Sequence, residues 1–431
     1  MRWAPNRRAL LAGVVSVLLA VVAAGCGSSG AHSTLVVAAA APFTGPDADF
    51  GPTAMAGCVP AVNLINQAGG VLGHNFKCLP VDTRGDPADA VPAVEKLLAT
   101  QSNLVAIAGP TSDETTALAP VINASHVPFF TSSGQAILDH ATYPYFYRLI
   151  PADDVAGYAM ALWGHLQHYT RAAAIFGNDV GSQGTVPTLL RGLHKLGGPQ
   201  IVINETLSLD QTSYRTEVQR MLATHPQVIF TEIDAQTAAT FFSELAAVHG
   251  LIPVIGADPT LDPTWFKTVA KVVGAARLSK LFIAENPVGA TSGSAWSLYS
   301  INLVKDGNLI PDPSGYTTDG VAQSRYNGIN LVALAMISAH STDPKVFNPY
   351  IVKLAAPKPG AVPVYSFAEG KQALKAGKQI QYIGIGKGIF FNRYHNSPGQ
   401  LEIDHFLPDA SVAQVPGSTQ VTAQQINALS Q

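Results

Sequence analysis

"LVVAAAAPFTGPDADFG", residues 35–51, decides how this chain is read. Its first part is a continuous apolar run, which suits a strand buried on both faces of a parallel sheet. Its second part, Phe43 to Gly51, places Gly, Pro, two Asp and two Phe ahead of a helical-looking segment. In open α/β sheets ligands bind beyond the carboxyl ends of the strands. A Gly/Pro-rich turn at that point, with Phe50 as an aromatic wall, therefore predicts a ligand-facing loop; the bland alternative is a core Phe at a strand exit.

The same alternation continues in both directions from this stretch. "FKCLPV", "LVAIAG" and "VPFFTSS" read as strands, separated by "TAMAGCVPAVNLINQAG", "ADAVPAVEKLLAT" and "TTALAPVINASH", whose apolar residues fall at helical spacing. After "YFYRLI" and Pro151 the rhythm restarts, through "AAAIFGND", "IVINETL", "QVIFTEI" and "IPVIGAD" with helices between them. The prediction is an α/β protein of two doubly wound parallel-sheet lobes across a cleft. "GVAQSRYNGINLVALAMISAH" reads as a long helix, "LSKLFIAENPV" as a strand and "QYIGIGKGIFFNRYHNSPGQ" as a hairpin.

Composition narrows the function. Residues 1–26 have the form of a secretion signal: Arg2, Arg7 and Arg8, an apolar stretch from Ala9 to Ala24, then "AAGC" ending at Cys26. That stretch is shorter than the about 20 residues a membrane helix requires. Small residues before a Cys resemble a bacterial lipobox, which makes Cys26 the expected lipidation site; "NRRALL" also resembles a twin-arginine signal. "GSSGAHS", residues 27–33, reads as a flexible tether. Without the three signal arginines the formal charge moves from −3 to −6, which argues against a nucleic-acid partner. Cys58 and Cys78 form an even pair in an oxidising compartment and predict a disulfide, the alternative being two buried thiols. Charged residues at 13% and hydrophobic ones at 47% suit large buried interfaces.

No catalytic, cofactor or metal motif stands out: there is no GxSxG, HExxH or Walker A loop, and His165 and His168 read as surface residues. Asp153 and Asp154 read as helix caps at a lobe crossing.

Several motifs in order resemble the type I periplasmic substrate-binding proteins of ABC importers, in the branched-chain amino acid (Leu/Ile/Val-binding) family. They are "FTGPDADFG", "AVNLINQAGGVLGHNFKCLPVD", "LVAIAGPTS", "VPFFTSS", "FYRLIPADD", "RYNGINLVALA" and "GIGKGIFFNRYHNSPG", spanning about Leu35 to Phe406. "INQAGGVLG" is the most specific, and Cys58 and Cys78 resemble the family's N-terminal disulfide in placement. The resemblance implies three crossover segments, with one lobe at 34–151 plus 282–341, the other at 152–281 plus 342–410, and a tail at 411–431. It also implies a monomeric receptor outside the cell membrane, tethered by its N-terminal lipid, that captures a small-molecule ligand and hands it to an ABC permease. The implied ligand is an amino acid or a related carboxylate.

The resemblance carries ligand contacts onto Phe50, Thr111, Ser112, Ser133, Gln135 and Val180. Thr111 and Ser112 open a helix, where unpaired N–H groups and hydroxyls suit a carboxylate, although Ser112 also suits a plain cap. Gln135 departs from the family's Thr, and Val180 stands where many relatives have an aromatic. The acid that pairs the ligand's ammonium in amino-acid binders aligns with Thr237 or Ala238. Asp234 or Glu232 is left to supply that charge, and Asp234 also reads as an N-cap. An ammonium buried without a counter-charge costs several kcal/mol, so this position bears on the substrate. Two other jobs fit the same residues: a sensor or regulatory partner of an envelope enzyme, and a secreted hydrolase, which a cleft acid with a displaced pKa would favour.

Overall fold

A computed structural model describes residues 34–305, 310–386, 388–418 and 422–430; Cys26, the signal segment and the tether through Ser33 lie outside them. The chain opens with β1 (Leu35–Ala41), α1 (Phe50–Gln67), β2 (Phe76–Asp82), α2 (Pro87–Thr100), β3 (Leu104–Ala108), α3 (Ser112–Ala124), β4 (Phe129–Thr131) and β5 (Phe146–Arg148). These strands form a parallel sheet in the order β2-β1-β3-β4-β5.

The second series runs α4 (Asp153–Leu166), β6 (Arg171–Gly177), α5 (Val180–Gln183), α6 (Val186–Leu196), β7 (Gln200–Leu207), α7 (Arg215–Ala223), β8 (Val228–Glu232), α8 (Ala235–Val248) and β9 (Val254–Gly256). It ends with α9 (Pro263–Val273), α10 (Ala275–Leu281) and β10 (Phe282–Pro287). The chain then returns to the first lobe as α11 (Ser294–Lys305), α12 (Gly320–Ala339), α13 (Pro344–Ala355), β11 (Val362–Val364), α14 (Phe367–Lys375) and β12 (Ile380–Tyr382). It closes on the second lobe with β13 (Leu401–Phe406), β14 (Val412–Gln414) and α15 (Ala423–Ser430). The second sheet has the order β14-β13-β10-β9-β8-β6-β7, parallel except for β13 and β14.

The all-apolar strands are explained by burial on both faces. Val37, Ala39 and Ala41 of β1 pack with α1 and α12, while Val36, Ala38 and Ala40 pack with α2 and α3. Successive side chains of a strand point to opposite faces, so an unbroken run serves two cores at once. In β6, Ala173 and Ile175 face the α8 and α9 side, and Ala172, Ala174 and Phe176 face α4 and α6. Small residues let helices approach closely: a Cβ on Gly57 of α1 would stand 2.5 Å from Arg325 Cβ and 2.7 Å from the Ala322 carbonyl of α12. Cys58, beside it, is bonded to Cys78 of β2.

The structure departs from the sequence expectations in four places. β10 joins the second sheet, pairing with β9 and β13, instead of opening the return to the first lobe. Residues 342–389 belong to the first lobe, because Phe347, Ile351, Val364, Phe367 and Tyr382 bury against α12 in its core. The segment expected as a tail adds β14 to the second sheet, and Ile426 and Leu429 of α15 enter the core beside α4. The expected hairpin is absent from the described residues as well. Gly384 and Gly386 take φ of +67° and +96°, and the Asn327 side chain binds both the N–H and the carbonyl of Ile385, replacing the pairing a strand would have supplied.

Three crossings join the lobes, and they bond to one another. The Arg148 N–H donates to the His395 carbonyl, the Ser397 N–H to the Arg148 carbonyl, and the Val288 N–H to the Gln400 carbonyl. Packing at Gly57 sets how closely α1 and α12 approach each other. Gly57→Val is expected to destabilise the fold by about 1–3 kcal/mol, the usual cost of overpacking, measured as a lower urea midpoint with an unchanged slope.

Candidate ligand-binding site

Both sheets reverse their strand order beside their first strand, between β1 and β3 in one and between β6 and β8 in the other. Such switch points open a crevice at the carboxyl ends of the strands. Here the two crevices face each other across one cleft, with an internal space of about 110 Å³. Gly109, leaving β3 at φ +124°, lets the chain pass the end of β1, since a Cβ there would meet the Ala40 carbonyl at 1.8 Å.

The opening loop brings Asp47, Asp49 and Phe50 to the cleft, and α3 brings Thr111, Ser112 and Asp113. From the second lobe come Asp153 of α4, Asp179 before α5, Glu232 at the end of β8, Asp234 before α8, Asp258 after β9, Asp262 before α9 and Glu285 of β10. Asp319, the N-cap of α12, completes the set. Eleven lining side chains are Asp or Glu, and none of the described lining residues is Lys, Arg or His. Phe50, Ile233, Leu261, Trp265 and Val321 add apolar wall.

Several of the acids have a local reason to be there. Helix N-termini carry unpaired N–H groups and a positive dipole end, which favour acids. Asp234 Oδ1 accepts from the N–H groups of Gln236 and Thr237 at 2.9 and 3.0 Å, Asp262 Oδ1 from Thr264 at 2.6 Å and Asp319 Oδ1 from Ala322 at 2.7 Å. The Thr111 N–H and hydroxyl both donate to Glu114. The donors with which Thr111 could have taken a ligand's carboxylate are therefore bonded to the protein's own Glu114.

The acids also repel one another. Burial, then the neighbouring Asp179, push Asp113 up to about 7. Burial, opposed by Arg148 and reinforced by Asp139 and Asp154, puts Asp153 at about 7. Burial with Asp153 and Asp319 brings Asp258 to about 8. Asp262 reaches about 7 through burial and Asp319, against the Thr264 N–H. Glu232, Glu285 and Asp49 are pushed well up, again by burial first and by neighbouring carboxylates after it. A displaced carboxyl is one mark of acid–base catalysis; here the displacement is spread over the whole cleft instead of being focused on one pair. The nearest cations stand behind the wall: Arg148 pairs Asp139 at 2.5 Å, and buried Arg325, lowered by desolvation to about 10, donates to Ser132 Oγ at 2.8 Å.

Phe50, Thr111, Ser112 and Asp234 line this space, and Asp234 is both a helix cap and a cleft residue. Ser133, Gln135 and Val180 do not line it. Ser133 is fully buried and turned into the first lobe, where its N–H donates to Thr131; its neighbours Ser132 and Gly134 face the cleft instead. Gln135 donates to the Ser112 carbonyl at 2.6 Å. The Val180 side chain is exposed, while its N–H and that of Gly181 donate to Asp113 across the cleft at 2.8 and 3.1 Å. Sequence reasoning missed nine of the acids: Asp179, Asp262 and Asp319 look like ordinary helix caps, and Glu285 sits inside a strand with nothing local to mark it.

Comparisons with known proteins agree with this architecture. The profile of a family described as "Periplasmic binding protein" matches residues 34–295. An amino acid binding protein of Pseudomonas aeruginosa is 25% identical over 295 residues, covering 62% of this chain and 77% of that protein. The branched-chain amino acid transporter substrate-binding protein LivJ from Streptococcus pneumoniae, solved with isoleucine, superposes with a TM-score of 0.70 at 16% identity, over 89% of this chain and all of that one. A Rhodopseudomonas palustris solute-binding protein solved with benzoate gives 0.65 at 14% identity, over 89% and 96%. Among the described residues no helix is long and apolar enough to cross a membrane. The chain belongs to the periplasmic binding protein family, whose members are extracytoplasmic solute-binding receptors, not enzymes.

Proposed function

We propose that this protein is the solute receptor of an ABC importer, tethered outside the membrane through Cys26, closing on a small polar solute and presenting it to a permease. The observation that carries the reading is the cleft itself, formed where the switch points of two sheets meet and bridged by bonds between the lobes. Asp113 accepts from Val180 and Gly181, and the Thr53 hydroxyl donates to Asp262 at 3.1 Å. Closure and ligand binding are then one linked equilibrium. Relatives named as amino acid binders support a solute with an ammonium group, and Glu232 and Asp234 supply the counter-charge that aligned Thr237 lacks. Capture of a carboxylate by Thr111 has less support, because Glu114 holds its donors.

Small-angle scattering of the protein with and without its host's low-molecular-weight extract tests the reading. A smaller radius of gyration with extract is expected. Unchanged scattering, together with co-purification of an envelope enzyme, would replace it with the regulatory role.

The cleft also sets a pH dependence. Carboxyls raised in the folded state hold protons that the unfolded chain has lost, so their stabilisation is present at low pH and disappears as pH rises through the folded pKa. Asp113, Asp153 and Asp262 at about 7 and Asp258 at about 8, against an ordinary value of about 4, place that loss between about pH 4 and 8. Each proton held only by the folded state lowers stability by about 1.4 kcal/mol per pH unit. Urea unfolding without added ligand is expected to show a lower midpoint at pH 8 than at pH 6.

A further inference from the structure

We infer that the solute is an organic polycation: a molecule with at least two amino groups joined by short apolar spacers, of the polyamine class. The inference rests on the receptor reading above and narrows its ligand.

The carboxyl edge of the second sheet carries the argument. Its strands β6, β8, β9 and β10 lie side by side, with Phe176 opposite Glu232, Thr231 opposite Gly256 and Gly256 opposite Ala284. An acid stands at or just beyond the ends of β6, β8 and β9, namely Asp179, Glu232 and Asp258, and Glu285 of β10 stands one residue past the level of Gly256, the end of β9. Neighbouring strands are about 4.8 Å apart, so the row extends roughly 14 Å. Across from it stand Asp49 and Asp113 of the first lobe.

A second observation shows that this row is more than a set of caps. Glu285 is 1% exposed; its Oε1 accepts the Asp258 N–H at 2.9 Å, while its Oε2 accepts nothing from the protein. Asp49 Oδ1 and Asp234 Oδ2 are likewise buried without a partner, in residues 6% and 8% exposed. All three residues line the cleft. A buried carboxylate oxygen with no donor is costly, and three of them around one cavity call for a donor from outside the protein.

The alternatives fit less well. Among the described residues no group of three or more Asp, Glu, His or Cys side chains is arranged to hold a metal ion, and acids spaced along a row suit an occupant whose charge is spread along its length. A polyol would supply donors but no charge, and each extra buried carboxylate would still have to keep a proton. An alkyl amine supplies both, and its methylenes match the wall of Phe50, Ile233, Leu261 and Trp265.

Calorimetric titration of the protein with putrescine and spermidine, beside leucine, sorbitol and calcium chloride, tests the inference. Buffers of different ionisation enthalpy report protons exchanged on binding. The groups around the row are the acids Asp153, Asp179, Glu232, Asp258, Glu285, Asp319 and Asp404, with Arg148 beside Asp153, Arg325 beside Asp319 and the imidazole of His405 beside Asp404 as the basic groups. A cation displaces protons from such a set, so binding of a polyamine is expected to release protons and to tighten by about tenfold or more between pH 6 and 8. Glu285→Gln, which keeps an acceptor for the Asp258 N–H, is expected to weaken that binding by about tenfold or more while the variant unfolds at the same or a higher urea midpoint at pH 8. Leucine or sorbitol binding without proton release, with no polyamine binding, would overturn the polycation and leave the receptor reading standing. Tight binding of calcium alone would overturn it in favour of a metal. Failure of every probe and of the host extract to bind would overturn both.

Discussion

Like charges facing each other across a closing gap are the constraint on which this structure turns. Asp179, Asp234, Asp262 and Asp319 are favourable where they stand, because the N-terminus of a helix stabilises a carboxylate through its free N–H groups and its dipole. The fold then aims those N-termini at one another, since helices that follow parallel strands all begin at the carboxyl edge of their sheet. Asp49 of the first lobe faces Asp262 of the second, and Asp47 lies within electrostatic reach of Asp179 and Asp234. What is a good cap in the isolated lobe becomes a source of repulsion when the lobes meet.

That repulsion gives the hinge something to work against. The three crossings are bonded into one unit, a shared edge about which the proposed closure would turn, and the lobes are bridged by bonds such as those of Asp113 with Val180 and Gly181. Protons ease the repulsion below neutrality; a cation between the lobes eases it at any pH at which its amines stay charged. A ligand that neutralises the cleft therefore adds free energy in the closed state that it does not add in the open one, and only such a differential term shifts a conformational equilibrium.

Much of the fold was legible in the sequence, for physical reasons. Strands buried on both faces write themselves as unbroken apolar runs, and Leu35–Ala41 and Val228–Phe230 did so. The return of the chain was harder to read. β10 and α13 are ordinary in local pattern, and their lobe is fixed by pairing with β9 and by Phe347 and Ile351 packing on α12, contacts between residues far apart in the chain. In the site, Phe50 and Asp234 were visible because a turn follows a strand there. Ser133 and Gln135 were misplaced because one step along an extended backbone exchanges the two faces, and Ser132 took the exposed one. Glu285 gave no signal, as its burial beside Asp258 depends on a strand neighbour.

The fold accommodates solutes of different chemistry, isoleucine in one structural neighbour and benzoate in another, so the occupant has to be read from side chains. Here they are acids and apolar wall. The most direct measurement is to purify the protein from its own host, record its mass under native conditions, then denature it and identify what is released. The account predicts a small molecule with two or more amino groups. A released carboxylate without a compensating amine, or a neutral sugar, would contradict it.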